Sequence, residues 1–224
     1  MRLIDTTDRL PRLLAMPPTT PTVVVVDDDV SVRESLELLI QSEGWQPALF
    51  DSAQEFLARL PSVVPSCLIL DVNLPDLSGL DIQQRITGEK CSTPIIFITG
   101  YGDIPTSVRA MKAGAAEFLT KPLDDKTLIE AIRSAVLRSE SNVKREGALR
   151  QLQERAALLS KREREVMNLV VKGLMNKQVA YELEISEITV KAHRGRVMEK
   201  MRATTFVDLV NMAARLGIST SRDA

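Results

Sequence analysis

Short, largely apolar runs alternate with amphipathic segments along residues 22–138. Such runs, rich in β-branched side chains, are typical of strands that are buried on both faces of a parallel sheet. The runs occupy residues 23–26, 48–50, 67–70, 94–99 and 117–120. Between them, apolar residues recur at a spacing of three or four, which predicts helices. The sequence therefore predicts an α/β fold, a doubly wound five-stranded parallel sheet with helices on both faces.

Serine followed three residues later by glutamate marks two of the helix starts in this region. Ser31 with Glu34 and Ser52 with Glu55 match the capping box, in which each side chain accepts a hydrogen bond from the other residue's backbone N–H. We therefore expect helices to begin at these two serines. Further helices are predicted over residues 79–87, 104–113 and 124–138.

After residue 138 the apolar pattern is helical throughout. Residues 139–158 extend the preceding helix as a charged linker. Apolar residues recur here at spacings of three and four, at Leu149, Leu152, Ala156 and, directly after the linker, Leu159. That spacing indicates either a short two-stranded seam or an ordinary solvated helix. The four helices expected beyond the linker cover residues 161–172, 177–184, 186–201 and 205–216.

The starts and ends of these later helices are also marked in the sequence. Ser160 with Glu163 forms another capping box, Gly173 ends the first helix, and Asn176 is expected to cap the second. Only a short turn separates the second helix from the third, which begins at Ser186. Two helices joined by such a turn predict a helix-turn-helix motif.

The charge distribution separates the two regions more sharply than the apolar pattern does. The 224 residues have a formal net charge of −1. Residues 22–138 nevertheless carry 10 basic and 17 acidic side chains, whereas residues 159–224 carry 12 basic and 8 acidic ones. An acidic module followed by a basic one indicates two domains, the second suited to an anionic partner. The expected organisation is a flexible tail (1–21), a first domain (22–138), a helical linker (139–158) and an all-helical domain (159–218).

Composition excludes several classes of protein. With 44% apolar and 26% charged residues, the chain can bury a core. No apolar run approaches the roughly 18–20 residues of a membrane span, so a cytoplasmic protein with no membrane association is expected. Neither Cys67 nor Cys91 has a second cysteine or a histidine at ligand spacing, and both are expected to be buried thiols. The single histidine, His193, excludes multi-histidine metal sites and disfavours a Ser-His-Asp triad.

Three carboxylates follow two of the predicted strands. Asp27 and Asp28 come directly after the first strand, and Asp71 follows the third. If these strands are neighbours, the carboxylates converge, and because like charges repel, the cluster favours a hard divalent cation such as Mg²⁺. Thr99 and Lys121 stand at the ends of two further strands and offer a hydroxyl and an ammonium to phosphoryl oxygens.

Residues 22–138 resemble the CheY-like receiver domain of two-component response regulators. The resemblance rests on four motifs, which read Val-Asp27-Asp28-Asp29, Leu-Asp71-x-Asn73-Leu-Pro75-x-x-Ser-Gly79, Ile-Thr99-Gly100 and Phe118-Leu-Thr-Lys121-Pro122. It implies that Asp71 is the phosphoacceptor and that Mg²⁺ or Mn²⁺ is the cofactor. The metal would be bound by Asp71, by Asp28 directly, by Asp27 through water and by the main-chain carbonyl of Asn73.

The resemblance also implies a switch. Thr99 and Lys121 would contact the phosphoryl group, and Phe118 would rotate inward as Thr99 moves. The Lys121–Pro122 peptide bond would be cis. Asp29 extends the usual acidic pair and is assigned no ligand role. Phosphatases that form an aspartyl phosphate carry a second aspartate two residues after the nucleophile, where this chain has Asn73, so a slowly hydrolysing switch is expected in place of a turnover enzyme.

In the predicted recognition helix, small and basic side chains share the face opposite the core. Projected at about 100° per residue, Val190, Val197, Met198 and Met201 face the core. Ala192 and Gly195 on the other face permit close approach to base edges, and Lys191 and Arg196 reach guanine or phosphate. His193 lies on the flank, where packing or a phosphate contact is favoured over acid–base chemistry, and Arg194 lies at the core edge.

The second domain resembles the LuxR-type DNA-binding domain, so that the whole chain looks like a FixJ/NarL-family response regulator. The resemblance rests on the residues around Glu163, on the run from Gly173 to Ala180 and on the run from Thr189 to Arg194. It implies base contacts from the positions of Lys191, Ala192 and Gly195, and phosphate contacts from Lys177 and Thr189. Gly195 replaces the larger side chain that some members of the family use there, which argues against a direct contact from it.

Together these features predict a transcription regulator that accepts a phosphoryl group from a sensor histidine kinase. Phosphorylation is expected to favour a homodimer, formed through the 104–113 helix, the 117–120 strand and the 124–138 helix, that binds promoter DNA. RNA polymerase is a further expected partner. Two alternatives remain: a regulator that binds DNA without phosphorylation, and an adaptor that works through protein contacts alone.

Overall fold

The computed structural model describes residues 20–59, 65–88 and 93–218. It divides into two compact units, the first ending at Glu140 and the second beginning at Ser141. The expected tail lies almost wholly outside the described residues, as does Cys91. Cys67 is buried, as predicted, and burial raises the pKa of its thiol. No helix among the described residues is long and apolar enough to cross a bilayer.

The first unit contains a parallel sheet in the order β2-β1-β3-β4-β5. The strands are β1 (Thr22–Val26), β2 (Gln46–Phe50), β3 (Cys67–Asp71), β4 (Ile95–Thr99) and β5 (Glu117–Thr120). β3 and β4 are buried along their whole length, and β1 along all but its first residue. The predicted fold class is confirmed, and β1 and β3 are neighbours, so their carboxyl ends meet at one edge of the sheet.

Helices cover both faces of this sheet, in two separate cores. They are α1 (Val30–Ser42), α2 (Ala53–Arg59), α3 (Gly79–Gly88), α4 (Ile104–Lys112) and the long α5 (Asp125–Ala157). Val24 and Val26 of β1 pack in the core formed with α2, α3 and α4, whereas Val23 and Val25 pack in the core formed with α1 and α5. Successive side chains of a strand point to opposite faces, so a strand between two helical layers must be apolar throughout.

Two helix caps in this unit differ from the local sequence signal. α1 begins at Val30, and its cap is Asp29, whose side chain accepts a hydrogen bond from Ser31 N at 2.8 Å. The capping box predicted at Ser31 is therefore wrong. At the start of α2, the carboxylate of Asp76 accepts hydrogen bonds from Ala53 N at 3.3 Å and Gln54 N at 2.9 Å. A residue more than 20 positions away thus satisfies the free N–H groups of that helix.

The second unit packs four further helices against the end of α5. They are α6 (Lys161–Val170), α7 (Asn176–Glu182), α8 (Glu187–Met201) and α9 (Phe206–Arg215). The capping box of Ser160 and Glu163 is present, and Ser186 caps α8 as predicted. Asn176 does not cap α7, because it is the first residue of that helix and Met175 holds the cap position.

The apolar stripe of the linker belongs to this second core. Leu152 and Leu159 are each only 4% exposed, and Ala156 packs against the same cluster. These side chains are covered by residues of their own chain. Leu152, Ala156 and Leu159 are therefore not available for a two-stranded seam with another chain, which was one of the two predicted alternatives.

We expect Gly79→Ala to destabilise the first unit. A Cβ at residue 79 would lie 2.4 Å from the main-chain oxygen of Asp71. Relieving this steric clash would require the backbone of a central strand to shift, which costs free energy. The expected loss is roughly 2 kcal/mol in the free energy of unfolding. It can be followed by the fluorescence of Trp45, the only tryptophan of the chain.

Gly100→Ala is the matched control, because a Cβ there meets no atom within 4 Å. It should unfold at nearly the same denaturant concentration as the wild type. Equal midpoints for the two variants would show that the contact between residue 79 and β3 does not constrain the fold.

Candidate functional site

Three carboxylates converge where β1 and β3 end side by side. One carboxylate oxygen from each of Asp27, Asp28 and Asp71 can be chosen so that all three lie within 4.8 Å of one another. Asp27 and Asp71 are buried, and Asp28 is exposed. Oxygen atoms from flexible carboxylates are the ligands that Mg²⁺ and Mn²⁺ prefer, so the donor set fits such an ion.

Lys121 joins the two buried carboxylates. Its Nζ lies 2.7 Å from Oδ2 of Asp27 and 2.7 Å from Oδ2 of Asp71. Burial raises the pKa of Asp27, and this effect outweighs the hydrogen bond from Lys121, which acts in the opposite direction. Burial also lowers the pKa of Lys121, but its hydrogen bonds to the two carboxylates prevail and raise that pKa above its usual value. The ammonium is therefore held in its charged form.

The second oxygen of each buried carboxylate is held by the backbone of its own loop. Asp29 N donates to Oδ1 of Asp27 at 2.9 Å, and Asn73 N donates to Oδ1 of Asp71 at 2.9 Å. Arg33 donates from Nη1 to the main-chain oxygen of Asp27 at 2.6 Å. The sequence reasoning missed Arg33, which sits six positions further on, in α1, and fixes the loop that carries the acids.

Thr99 is fully buried at the end of β4 and makes three polar contacts. Its Oγ1 lies 3.2 Å from both the main-chain N and the main-chain O of Tyr101, and 3.3 Å from Nδ2 of Asn73. Asn73 was expected to act through its carbonyl oxygen, so this side-chain contact was not foreseen. The structure thereby connects the loop after Asp71 directly to Thr99.

The remaining receiver residues occupy the edge of the sheet beside Thr99. Phe118 of β5 is half-buried, and its ring centroid lies 6.2 Å from that of Phe97. The Lys121–Pro122 peptide bond is cis, as the resemblance implied. Gly102 packs closely here, since a Cβ on it would lie 2.9 Å from Cγ2 of Thr120 and 3.4 Å from the Phe118 ring.

In the second unit, α7 and α8 are joined by a short turn. Glu184 adopts a positive φ of 54° in this turn, and Ser186 then caps α8 by accepting from Thr189 N at 3.1 Å. The hydroxyl groups of Ser186 and Thr189 are also hydrogen-bonded, at 2.8 Å. The predicted helix-turn-helix geometry is therefore present.

The recognition helix α8 is divided into a buried face and an exposed face. Val190, Val197 and Met201 are buried, as predicted, and Met198 is partly buried. The expected DNA contacts on α8 that are exposed are Lys191, Ala192, Gly195 and Arg196. Lys177 on α7 is exposed as well, whereas Thr189 is half-buried and its hydroxyl is hydrogen-bonded to that of the cap residue Ser186.

Polar side chains on the inner flank of α8 fasten it to its neighbours. Arg194 donates from Nη1 to Oδ1 of Asn176 at 2.6 Å, and its guanidinium lies 5.5 Å from the ring centroid of Phe206. Lys200 donates to Oε2 of Glu163 at 2.6 Å. His193 is half-buried, and its Nδ1 has no hydrogen-bond partner among the described residues. These contacts fix α8 relative to α6, α7 and α9.

Comparison with known proteins assigns both units. The family model of the response regulator receiver domain matches residues 23–133, and that of the bacterial regulatory proteins of the luxR family matches residues 157–213. Nodulation protein W of Bradyrhizobium diazoefficiens is 49% identical over 89% of this chain and 88% of its own length. Transcriptional regulatory protein FixJ of the same organism is 41% identical over 88% of this chain and 96% of its own length. Among solved structures, the response regulator StyR superposes with a TM-score of 0.77 at 43% identity, covering 88% of this chain and 99% of that one.

This chain is a response regulator of the FixJ/NarL family. It combines a receiver domain with a LuxR-type DNA-binding domain, which makes it a two-component transcriptional regulator. A receiver domain implies a sensor kinase as partner, and the LuxR-type domain implies DNA.

We expect the stability contributed by Glu163 in this regulator to depend on pH. The hydrogen bond from Lys200, together with that from Ser160 N, lowers the pKa of Glu163 from 4.5 to about 2. A lowered pKa in the folded state gives stability that is fully present above about pH 4.5 and is lost as the pH falls through about 2. Glu163→Gln should therefore cost about 1–2 kcal/mol at pH 7 and progressively less below pH 4.5.

Urea unfolding followed by far-ultraviolet circular dichroism measures this difference. Glu199→Gln, an exposed carboxylate on α8, is the control and should change the free energy of unfolding little at any pH. A cost for Glu163→Gln that stays constant between pH 7 and pH 3 would show that the ion pair is not its source.

Proposed function

We propose that the regulator accepts a phosphoryl group on Asp71 from a sensor histidine kinase, in a reaction that requires Mg²⁺ or Mn²⁺. The observation that supports this most directly is the convergence of Asp27, Asp71, Lys121 and Thr99 at one edge of the sheet. A structural role alone does not explain why buried carboxylates crowd at a strand end, because like charges repel there. A site for a cation and a phosphoryl group does explain it.

In the proposed reaction, the Asp71 carboxylate is the nucleophile. A carboxylate oxygen forms a bond to the phosphorus of the phosphohistidine, the phosphorus–nitrogen bond breaks, and the imidazole nitrogen takes the electron pair. The hydrogen bond from Asn73 N to Oδ1 orients the carboxylate for this attack. Asp28, Asp71, the main-chain carbonyl of Asn73 and, through water, Asp27 would hold Mg²⁺, which would supply positive charge to stabilise the transferring group.

Lys121 changes partner in this scheme. Its Nζ contacts Oδ2 of Asp71 at 2.7 Å, the carboxylate oxygen not held by the loop. When Asp71 carries a phosphoryl group, that ammonium is within reach of the phosphoryl oxygens and keeps a charged partner. The side chain is half-buried and flexible, so this movement needs no backbone rearrangement.

Thr99 and Phe118 provide the proposed switch. The Thr99 hydroxyl leaves Tyr101 and Asn73 to donate to a phosphoryl oxygen, and the Phe118 ring turns into the space beside it. This shifts an equilibrium between two arrangements of the neighbouring surface. That surface carries exposed apolar residues of α4, with Ile104 79%, Val108 42% and Met111 45% exposed.

We propose that this surface of α4, β5 and the start of α5 forms a homodimer upon phosphorylation. A twofold dimer presents two recognition helices to half-sites spaced by about one turn of DNA, roughly 34 Å. Linking two weak contacts in this way raises affinity without any new interaction with DNA. The promoter-bound dimer then acts on RNA polymerase.

The same site argues for a switch and not for a turnover enzyme. An aspartyl phosphatase needs a general acid or base two residues after its nucleophile. This chain has Asn73 at that position, and its amide cannot act as a general acid or base. The amide donates a hydrogen bond to Thr99 Oγ1. The acyl phosphate is therefore expected to persist long enough to serve as a signal.

Beryllofluoride, a phosphoryl mimic, tests the proposal. With Mg²⁺ it should convert the wild-type chain from monomer to dimer in sedimentation or light scattering, and raise its affinity for DNA at two salt concentrations. With the same additions, Asp71→Asn should neither dimerise nor gain affinity for DNA. The substitution keeps the size of the side chain, so the fold should be unchanged. The fluorescence spectrum of Trp45 checks that the variant is folded like the wild type.

The two alternatives predict different results. A regulator that works without phosphorylation would bind DNA equally well as wild type and as Asp71→Asn, with or without beryllofluoride. If wild type neither dimerises nor gains affinity, the phosphorylation switch is wrong.

Lys191→Ala tests whether output requires DNA. Lys191 is exposed on the outer face of α8, so its loss should lower affinity for a preferred site about 10-fold, with no change in folding. Arg215→Ala removes an exposed charge from α9 and serves as control. An adaptor that acts through protein contacts alone would retain promoter activation in cells carrying Lys191→Ala, and that result would refute DNA-dependent output.

A further inference from the structure

Ile188 is a large apolar side chain at the start of the recognition helix that contributes nothing to the core. It is 80% exposed, and it is absent from the apolar cluster of the second unit, which includes Val190 and Val197 of the same helix. It is also the second residue of α8, directly after Glu187. Folding therefore gives no reason for an isoleucine at this position.

The helix geometry places Ile188 at the centre of the outer face. At about 100° per residue, Ile188 and Ala192 each lie about 160° around the helix from the buried Val190, and only about 40° from each other. Gly195 lies on the same side, and a Cβ there would meet no atom within 4 Å. Ile188, Ala192 and Gly195 thus form an exposed stripe without polar side chains over the first part of α8, and the exposed Glu199 continues this face toward the end of the helix.

Cationic residues border this stripe on both sides. Lys191 lies along one edge and Arg196 along the other, and both are exposed. Their charges attract DNA phosphates, and the bare stripe between them allows the helix to approach the floor of the major groove closely. The first residues of a recognition helix are the ones that reach base edges in this motif, and Ile188 is among them.

We infer that Ile188, together with Ala192, contacts the 5-methyl group of a thymine in each half-site and so specifies a T·A pair there. The thymine methyl is the only apolar group that a base pair offers in the major groove, and apolar side chains are its partners. An isoleucine cannot donate or accept a hydrogen bond, so it disfavours a base pair that would leave a polar edge unpaired against it. This inference rests on DNA binding by the second unit and not on phosphorylation of Asp71.

The experiment compares DNA selected by two versions of the full chain. Wild type and Ile188→Ala are each used to enrich sites from a random duplex library, with and without beryllofluoride and Mg²⁺. Affinities are then measured on the wild-type consensus duplex and on copies in which each thymine in turn is replaced by uracil. That replacement removes one methyl group and leaves every hydrogen-bonding edge intact.

At one thymine of each half-site, uracil should weaken wild-type binding about four-fold per half-site, the value expected for loss of one buried methyl group. Ile188→Ala should bind the thymine duplex more weakly than wild type, and uracil at that position should weaken its binding less than it weakens wild-type binding, because only Ala192 still contacts the methyl group. Ile188→Val, which keeps two methyl groups, should retain part of the sensitivity. Val207→Ala, at a 65% exposed position of α9, is the matched control and should behave as wild type.

Two results would overturn the inference. One is a selected site in which no thymine shows a uracil effect that depends on residue 188. The other is loss of binding by Ile188→Ala to all sequences equally, which would assign Ile188 a structural role. A wild-type chain that binds in the absence of beryllofluoride and shows the residue-188 effect would support the inference even if the proposed phosphorylation switch failed.

Discussion

The receiver unit depends on the contact of one lysine with two buried carboxylates. Asp27 and Asp71 lie at the ends of neighbouring strands, and their charges would repel strongly in that partly buried setting if nothing stood between them. Lys121 offsets one charge but not both, and Asp28 adds a third acid. The pocket therefore retains an excess of negative charge that suits a divalent cation. The parallel order of the sheet is what brings these groups together, because it places all strand ends that carry them at one edge.

Much of this arrangement could be predicted from the sequence, because an apolar strand and the acid after it are adjacent in the chain. The predictions that failed in this unit were those of the residues that cap α1 and α2. Asp29 outcompetes Ser31 because it stands directly before the first helical residue, and Asp76 caps α2 from a distant loop that no local pattern reveals. The linker leucines show the same limit, since periodicity identifies an apolar stripe but not whether it meets its own domain or another chain.

In the DNA-binding unit, the contacts that orient the recognition helix lie on its inner flank and its end. Arg194 is fastened to Asn176, and Lys200 to Glu163, so the helix keeps its position without any help from its outer side chains. The two tasks are separated within one helix, since the inner residues maintain the fold and the outer residues are those proposed to contact DNA. Substitutions on the outer face can consequently alter sequence preference with little effect on stability, which allows related regulators to acquire different promoters while keeping the same domain.

The contacts of Thr99 have a consequence for signalling without a stimulus. They are long, at 3.2–3.3 Å, and none involves a charged group. Each such bond contributes about 0.5–1.5 kcal/mol, so in the proposed switch these contacts would stabilise the resting arrangement by only a few kcal/mol, and a small fraction of molecules would adopt the active arrangement spontaneously. The hydrogen bond from the Asn73 amide would contribute part of this free-energy difference. Residue 73 would therefore influence the level of transcription in the absence of a signal. Its substitution during evolution would change that level while the phosphorylated residue stays the same.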